Sequence, residues 1–394
     1  MPPQPGPTKT DFVALHQAAL DHNPVKGLTH TFYRYPARFS PAFASTAIRL
    51  FSKKGDVVLD PYMGGGTTVV EALVAGRRAI GSDLNQLSQF IAKVKTQPLT
   101  KAQVEDVRKW VGRAVSQMHF HFDRNLIAHL VDDEKTKNLH WPTARPYRKG
   151  LAGAMLAVED IKTPPARAFA RCALLRLGQW ALDGRKRAPA LRDARERLGV
   201  LVEEMLNGMA QFSAKMKGHA DLLPPTVLNL DAAILPMHPV FFKEGIKADL
   251  VVTSPPYPGV HMLYHRWQIN GRREAPAPYW LTECSDGHGS AYYNFADRRQ
   301  FGIDKYFQTS LTNLKALRKI ARLGAVIIQM IAFSDPDEYL PRYLKNMKEA
   351  GFAEAVVRGE AERLWREVPG RRWHAFMKGR LNASREVVLV HVAS

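Results

Sequence analysis

Cysteine is nearly absent from this chain: Cys172 and Cys284 are the only two among 394 residues. Two thiols so far apart build neither a disulfide framework nor a cysteine-type zinc site, and a reducing cytoplasm suits them. Long apolar runs are missing as well. None approaches the roughly 18 residues of a membrane span, so no membrane partner is expected. The N-terminal MPPQPGPTKT has no apolar stretch after its first charge, which argues against a secretory signal. Residues 1–20 read as a flexible tail. Acids are scarce relative to bases, with 37 Asp and Glu against 56 Lys and Arg and a net charge of +19. Such an excess points to a polyanionic partner, a nucleic acid or an acidic membrane face. Apolar residues are not scarce. At 45 % of the chain, they supply a sizeable core.

Strand and helix periods alternate at both ends of the chain. DVVLD (56–60) is a buried strand, PYMGGGTT a glycine loop, VVEALVAG a helix with Gly76 as its C-cap, and RRAIGSD (77–83) a second strand. A further helix stops before Pro98. Strand signals resume at 226–232, 248–254, 325–333, 353–359 and 385–393, with helices at 306–324 and 338–352 between them. The helix at 306–324 is expected to end at Gly324, and the basic stretch 362–380 reads as a hairpin or loop. Residues 99–225 show helical periods almost alone and read as a helical insertion of about five helices. The expected architecture is a doubly wound, mostly parallel, seven-stranded Rossmann-like sheet over 21–98 and 226–394, split by that insertion.

Gly64, Gly65 and Gly66 lie between a strand and a helix, where glycine lets backbone turn sharply and approach a ligand. A plain tight turn would use the same residues. No lysine follows, which excludes the phosphate loop of nucleoside triphosphatases. Asp83 ends the second strand, where a carboxylate can accept both hydroxyls of a ribose. Asp60 ends the first strand and suits a cation better than a pyrophosphate. An ammonium and a sulfonium are such cations, which favours S-adenosylmethionine over a nicotinamide dinucleotide.

A second motif follows a buried strand: VVTSPPYPG, from Val251 to Gly259. An exocyclic base amine must pyramidalise before it accepts a methyl group. A stiff loop that presents the Ser254 side chain and the Pro255 carbonyl as acceptors favours this. Tyr257 offers a flat face for an extruded base. TSPPY resembles the catalytic tetrapeptide of the amino-group DNA methyltransferases, and DPYMGGGTT resembles their cofactor loop. HTFYRYPARFSP (30–41) resembles the segment that closes over the methionine end of the cofactor, and NLD (229–231) stands where the family has a third acid near the adenine. The resemblance covers roughly 28–97 and 226–394. It implies S-adenosylmethionine as cofactor, held by Phe39, Asp60, Pro61, Tyr62, Gly64, Gly66, Thr67, Thr68, Asp83, Leu84 and Asp231. It implies Ser254, Pro255, Pro256 and Tyr257 as the catalytic loop, and double-stranded DNA with a flipped base as substrate. A cognate restriction endonuclease or another defence component is a candidate partner. The chain departs from the family in two places: the insertion enters before the third acid, and Gly65 stands where serine is common.

Serine at the head of the tetrapeptide leans toward cytosine N4. Adenine N6, a base amine of RNA, and an inactive nucleic-acid-binding module are the alternatives. Carbon-5 methylation needs a thiolate on a Pro-Cys loop, and neither cysteine has that setting. His261, His265, Arg266, Trp267, Arg272 and Arg273 interleave cations with rings after the catalytic loop and are candidate DNA contacts. The two histidines lack the glutamate of a zinc-protease helix, so no metal is expected.

Overall fold

The computed structural model describes residues 7–35, 38–119, 130, 133–219, 221–258, 266–271, 273–286, 295, 298–357, 359–367 and 385–394. In chain order, α1 (Lys9–Ala19) and α2 (Pro41–Phe51) precede β1 (Val57–Asp60), α3 (Thr67–Val74), β2 (Arg78–Ser82) and α4 (Gln86–Thr96). The insertion holds α5 (Lys101–Gln117), α6 (Arg145–Glu159), α7 (Pro164–Leu182) and α8 (Leu191–Met216). Then come β3 (Thr226–Leu228), the short α9 (Pro239–Phe242), β4 (Ala248–Thr253), the hairpin β5 (Trp267–Ile269) and β6 (Arg273–Ala275), and α10 (Ala277–Thr282). The chain closes with α11 (Arg298–Ile320), β7 (Ala321–Ile331), α12 (Pro336–Glu349), β8 (Phe352–Glu354), β9 (Val356–Val357), β10 (Glu360–Ala361), β11 (Leu364–Glu367) and β12 (Arg385–Ala393).

The central sheet runs β11-β12-β7-β4-β1-β2-β3, with β8 also paired to β12. Pairing is parallel from β7 through β4, β1 and β2 to β3, and β12 is antiparallel to its neighbours. Side chains sort by parity, as a period of two requires. Val58, Leu250, Val252, Ile328 and Val388 face one core, with α2, α3 and α4. Val57, Leu59, Val251, Ile327 and Leu389 face the other, with α11 and α12. The doubly wound, mostly parallel sheet is as expected.

Several boundaries differ from expectation. The sheet has eight strands. The expected strand at 353–359 breaks after Glu354, and β9 turns away to pair with β10. The basic stretch then supplies β11, which fills the rest of the outer edge of β12. The helix before β7 ends at Ile320, not Gly324. Gly324 sits inside β7 at φ 79°, beside an irregularity in the register with β4 between Ala248 and Leu250.

Residues 9–19 are not a flexible tail. Thr8 and Asp11 form a capping box: the Thr8 hydroxyl accepts from Asp11 N, and Asp11 accepts from Thr8 N at 2.8 Å. Phe12, Leu15 and Ala19, spaced by three and four, are buried in the first core. A cap plus an apolar stripe makes a helix where composition alone suggested none.

Four α-helices of the insertion are described, and they extend the first core. Phe169 of α7 meets Phe32 edge-on at 5.6 Å. Gly208 of α8 lies against the Leu28 carbonyl, which a Cβ there would overlap. Alanine in a helix normally gains up to about 1 kcal/mol over glycine. Here the added methyl meets backbone, which cannot rotate away, so overpacking wins. Gly208→Ala should lower stability by about 1–3 kcal/mol, read as a lower urea midpoint of the full chain. An unchanged midpoint would show that this seam does not tie the insertion to the sheet.

Candidate active site

β1 and β4 are adjacent and parallel, so both motif loops leave the same edge of the sheet. Thr253, the last residue of β4, donates from Oγ1 to Asp60 Oδ1 at 2.6 Å. One pocket is lined on one side by Asp60, Pro61, Tyr62, Gly64, Gly65 and Thr67. Asp83, Leu84 and Asp231 line it from the ends of β2 and β3, and Ser254, Pro255 and Pro256 from β4. Phe39 enters from the segment before α2.

The glycine loop is shaped from both sides. Gly64 and Gly66 have φ of 46° and 72°, left-handed values that favour glycine. Gly65 faces Tyr35, whose Cβ a side chain at 65 would approach to 2.9 Å. Tyr35, from the segment before α2, therefore packs where a side chain at 65 would sit. Beneath it, Lys95 is buried and donates to the Gly65 carbonyl at 2.5 Å. Burial pulls its ammonium down to about 7. The buried pair His30–Glu71 (2.7 Å) lies nearby, and Arg38 donates to the His30 carbonyl at 2.8 Å while lining the pocket. Tyr35, Arg38 and Lys95 were not singled out in the sequence. Tyr35 and Arg38 lie within HTFYRYPARFSP, but Lys95 gives no local signal.

The acids carry different loads. Asp60 is 2 % exposed and also accepts from Tyr62 N at 3.2 Å. Desolvation pushes its carboxyl up to about 7. Asp83 accepts from Gly64 N and Asn85 N, each at 2.9 Å, and burial raises it as well. Asp231 caps the turn that follows it, accepting from Ala233 N at 2.9 Å. Asn229 spans from β3 to the Asp83 and Leu84 carbonyls at 2.9 and 2.8 Å, so it aligns the two acids. Thr68 is 1 % exposed, and its hydroxyl donates to the Val252 carbonyl at 3.1 Å. It pins α3 to β4 beside Asp60 and is not among the pocket walls. Gly66 likewise shapes the loop as the cap of α3 and is not among the pocket walls.

In the second loop, Ser254 donates to the Met330 carbonyl at 2.9 Å and lies 3.0 Å from the Tyr257 hydroxyl. The Pro256 carbonyl accepts from Tyr306 at 2.6 Å. Among the described residues, none donates a hydrogen bond to the Pro255 carbonyl. Tyr257 differs from an open stacking face. It is 5 % exposed, and its hydroxyl turns inward to Glu386 at 3.1 Å.

The candidate DNA contacts divide. His261, His265 and Arg272 lie outside the described residues. Trp267 is a core residue: 1 % exposed, against Gly178, its indole donating to Tyr33 at 3.1 Å. Arg266 is held by Asp286 at 2.8 Å and Glu274 at 3.6 Å. Arg273 lies 3.8 Å over the half-exposed ring of Trp141, from the insertion. The hairpin that carries it is pinned to the insertion, since Gly184 N donates to the Gln268 carbonyl at 2.7 Å. Exposed Arg185, Lys186 and Arg187 follow at once. Both cysteines are buried, and burial pushes Cys172 up to about 12.

A cationic ligand at Asp60 binds the ionised carboxylate, so below the raised pKa a proton competes with it. Its affinity should rise about tenfold per pH unit up to about pH 7 and flatten above. Calorimetry across that range checks this, and the Asp60→Asn variant should lose the dependence. A parental profile without pH dependence would separate Asp60 from the ligand.

Residues 16–93 match a family model described as DNA methylase, of the N6 and N4 type. The chain is 27 % identical over 263 residues to the Type II methyltransferase M.MvaI of Kocuria varians, covering 59 % of this chain and 54 % of that protein. It is 29 % identical over 110 residues to the Type II methyltransferase M.MjaII of Methanocaldococcus jannaschii, covering 28 % of this chain and 19 % of that one. The chain thus spans about half the length of the first relative and less of the second. Among solved structures, TrmN of Thermus thermophilus aligns at 11 % identity with a TM-score of 0.33, covering 90 % of this chain and 49 % of that one.

Proposed function

We propose that this chain, a member of the amino-group DNA methyltransferase family over residues 16–93, methylates the N4 amine of cytosine in DNA with S-adenosylmethionine. The Thr253–Asp60 hydrogen bond at 2.6 Å carries this reading. It joins the end of the glycine loop's strand to the head of SPPY, so a ligand on one loop faces a base on the other. The pocket fits the cofactor by the chemistry of its walls. Asp60 suits a cation, Asp83 suits a ribose, and Leu84, Leu230 and Phe39 give apolar surface beside Asp231. The cofactor supplies a methyl group activated on a sulfonium.

The chain's own residues do the rest. The Pro255 carbonyl and the Ser254 hydroxyl oxygen accept the amine hydrogens, which localises the nitrogen lone pair. Tyr306 and Met330 hold that loop still, so the acceptors need no reorganisation. Tyr257 is buried, outside the pocket walls, and its hydroxyl is anchored inward on Glu386, so it backs the catalytic loop from behind. Reaching this pocket requires the base to leave the duplex. No covalent enzyme–base bond is needed, in keeping with the two buried thiols. The insertion and the hairpin act together on the phosphate backbone, through Arg185, Lys186, Arg187 and Arg273. Serine at position 254 favours cytosine over adenine.

Labelled cofactor incubated with duplex DNA and with RNA should yield N4-methylcytosine from DNA, identified by mass spectrometry of the nucleosides. N6-methyladenine would reassign the base, and 5-methylcytosine would overturn the mechanism. Asp83→Ala should weaken cofactor binding by about 2–3 kcal/mol through loss of charge-assisted hydrogen bonds, as calorimetry would show. DNA affinity should fall steeply with added salt through counterion release, and a flat response would point to a small-molecule substrate.

A further inference from the structure

The hairpin β5–β6 is wedged between two parts of the insertion. On one side, Gln268 N donates to Asp183 Oδ1 at 3.1 Å, and Gly271 N donates to the Arg185 carbonyl at 3.3 Å. On the other, Asn138 donates from Nδ2 to the Glu274 carbonyl at 2.9 Å, and the Thr143 hydroxyl donates to the Asn270 side-chain oxygen. Arg185 bridges to Ile269, and Ile269 pairs with Arg273. Neighbouring strands lie about 4.8 Å apart, so the backbones of the two arginines stand roughly 10 Å apart. Ile269 between them is 1 % exposed and anchors the row.

Each arginine is seated on a tryptophan of the insertion. The Arg273 guanidinium carbon lies 3.8 Å from the centre of the Trp141 ring, and so over its face. His140 stacks with the same ring at 5.7 Å and 30°. Arg185 lies 5.6 Å from the centre of the Trp180 ring and donates from Nε to the Trp180 carbonyl at 2.8 Å. A ring face holds a guanidinium by its flat side and leaves its N–H edge free.

Elsewhere the insertion neutralises its arginines. Arg108, Arg113, Arg148, Arg171 and Arg176 are each ion-paired with a carboxylate. Among the described residues, no carboxylate pairs with Arg185 or Arg273, nor with the exposed Lys186 and Arg187. The nearby acids are engaged: Asp183 accepts from Gln268 N, and Glu274 lies 3.6 Å from Arg266. A stacked guanidinium has given up rotamer freedom before a partner arrives, so binding an anion orders less. Its planar fork matches a pair of phosphate oxygens.

We propose that Arg273 and Arg185 are two preformed phosphate contacts for duplex DNA, and that Trp141 is the positioning residue that holds Arg273 for this contact. The inference rests on the DNA reading given above and deepens it. The hairpin's cation is set by a ring that the insertion supplies, so neither segment makes this contact alone.

The test is fluorescence anisotropy of the full chain on a mixed-sequence duplex over a series of salt concentrations, with cofactor affinity as a check on the fold. R273Q should weaken binding about tenfold. It should also flatten the slope of log affinity against log salt by about 1, the share of one phosphate. R185Q should flatten the slope by a similar amount. W141A should weaken binding about two- to tenfold and keep most of the slope, because the cation is still present. W141F keeps a ring face and should restore binding. In an R273Q background, W141A should add less than about twofold, since no fork remains to be held. Every variant should keep cofactor affinity within about twofold of parental. Parental affinity and slope for R273Q, or a W141A loss undiminished in the R273Q background, overturns the proposal. So does an R273Q loss confined to particular duplex sequences, which would make Arg273 a reader of bases. A parental protein whose duplex affinity ignores salt fails the DNA reading itself and this inference with it. A salt-dependent parent with an indifferent R273Q fails only the assignment of these contacts.

Discussion

Two side chains 193 residues apart in sequence, Thr253 and Asp60, share a hydrogen bond of 2.6 Å, and the site is organised around it. It exists because β1 and β4 pair in parallel, Val58 beside Leu250 and Leu59 beside Val251. Parallel neighbours end on the same edge, and their loops must share the crevice there. The glycine loop, the SPPY loop and the acids of β2 and β3 all reach the pocket by that one rule. The insertion leaves after α4 and returns at β3, so it lengthens the chain between the motifs without separating them in space.

Charge is buried around this edge in quantity. Asp60 and Asp83 face the pocket, Lys95 and the His30–Glu71 pair sit behind the glycine loop, and the Arg366–Glu386 pair sits behind SPPY. Burying a charge is costly unless partners take up its hydrogen bonds, and each of these has partners aimed at a loop. Their common effect is stiffness: the backbone at Gly65 and the side chain of Tyr257 are held by groups that water cannot replace. The two pocket acids stand apart, because desolvation leaves both with raised pKa values. A cation or a pair of hydroxyls would relieve that desolvation.

The surface away from the pocket is built from distant segments as well. Arg273 of the hairpin lies over Trp141 of the insertion, and Gly184 is bonded to Gln268. Residues after the catalytic loop are therefore bonded to residues before β3. A cationic face assembled this way can approach a polyanion while the pocket edge stays fixed by the sheet.

The alternation of strand and helix, the insertion's helical character, the glycine loop with its two acids, and SPPY were all legible in the sequence. Each rests on residues close to one another in the chain: a period of two or 3.6, a turn that needs glycine, a pair of prolines. The helix at 9–19 was also encoded locally, by its capping box and apolar stripe, but proline-rich neighbours outweighed that signal. Only the tertiary structure could turn Trp267 into the core, spend Thr68 on the Val252 carbonyl, split the outer strand into β8 and β11, and set Lys95 and Glu386 behind the two loops. These depend on partners scores of residues away, whose distances are set by strand order and by which face each helix covers. Local chemistry decided which residues could bind and react, and packing decided which of them reach the pocket.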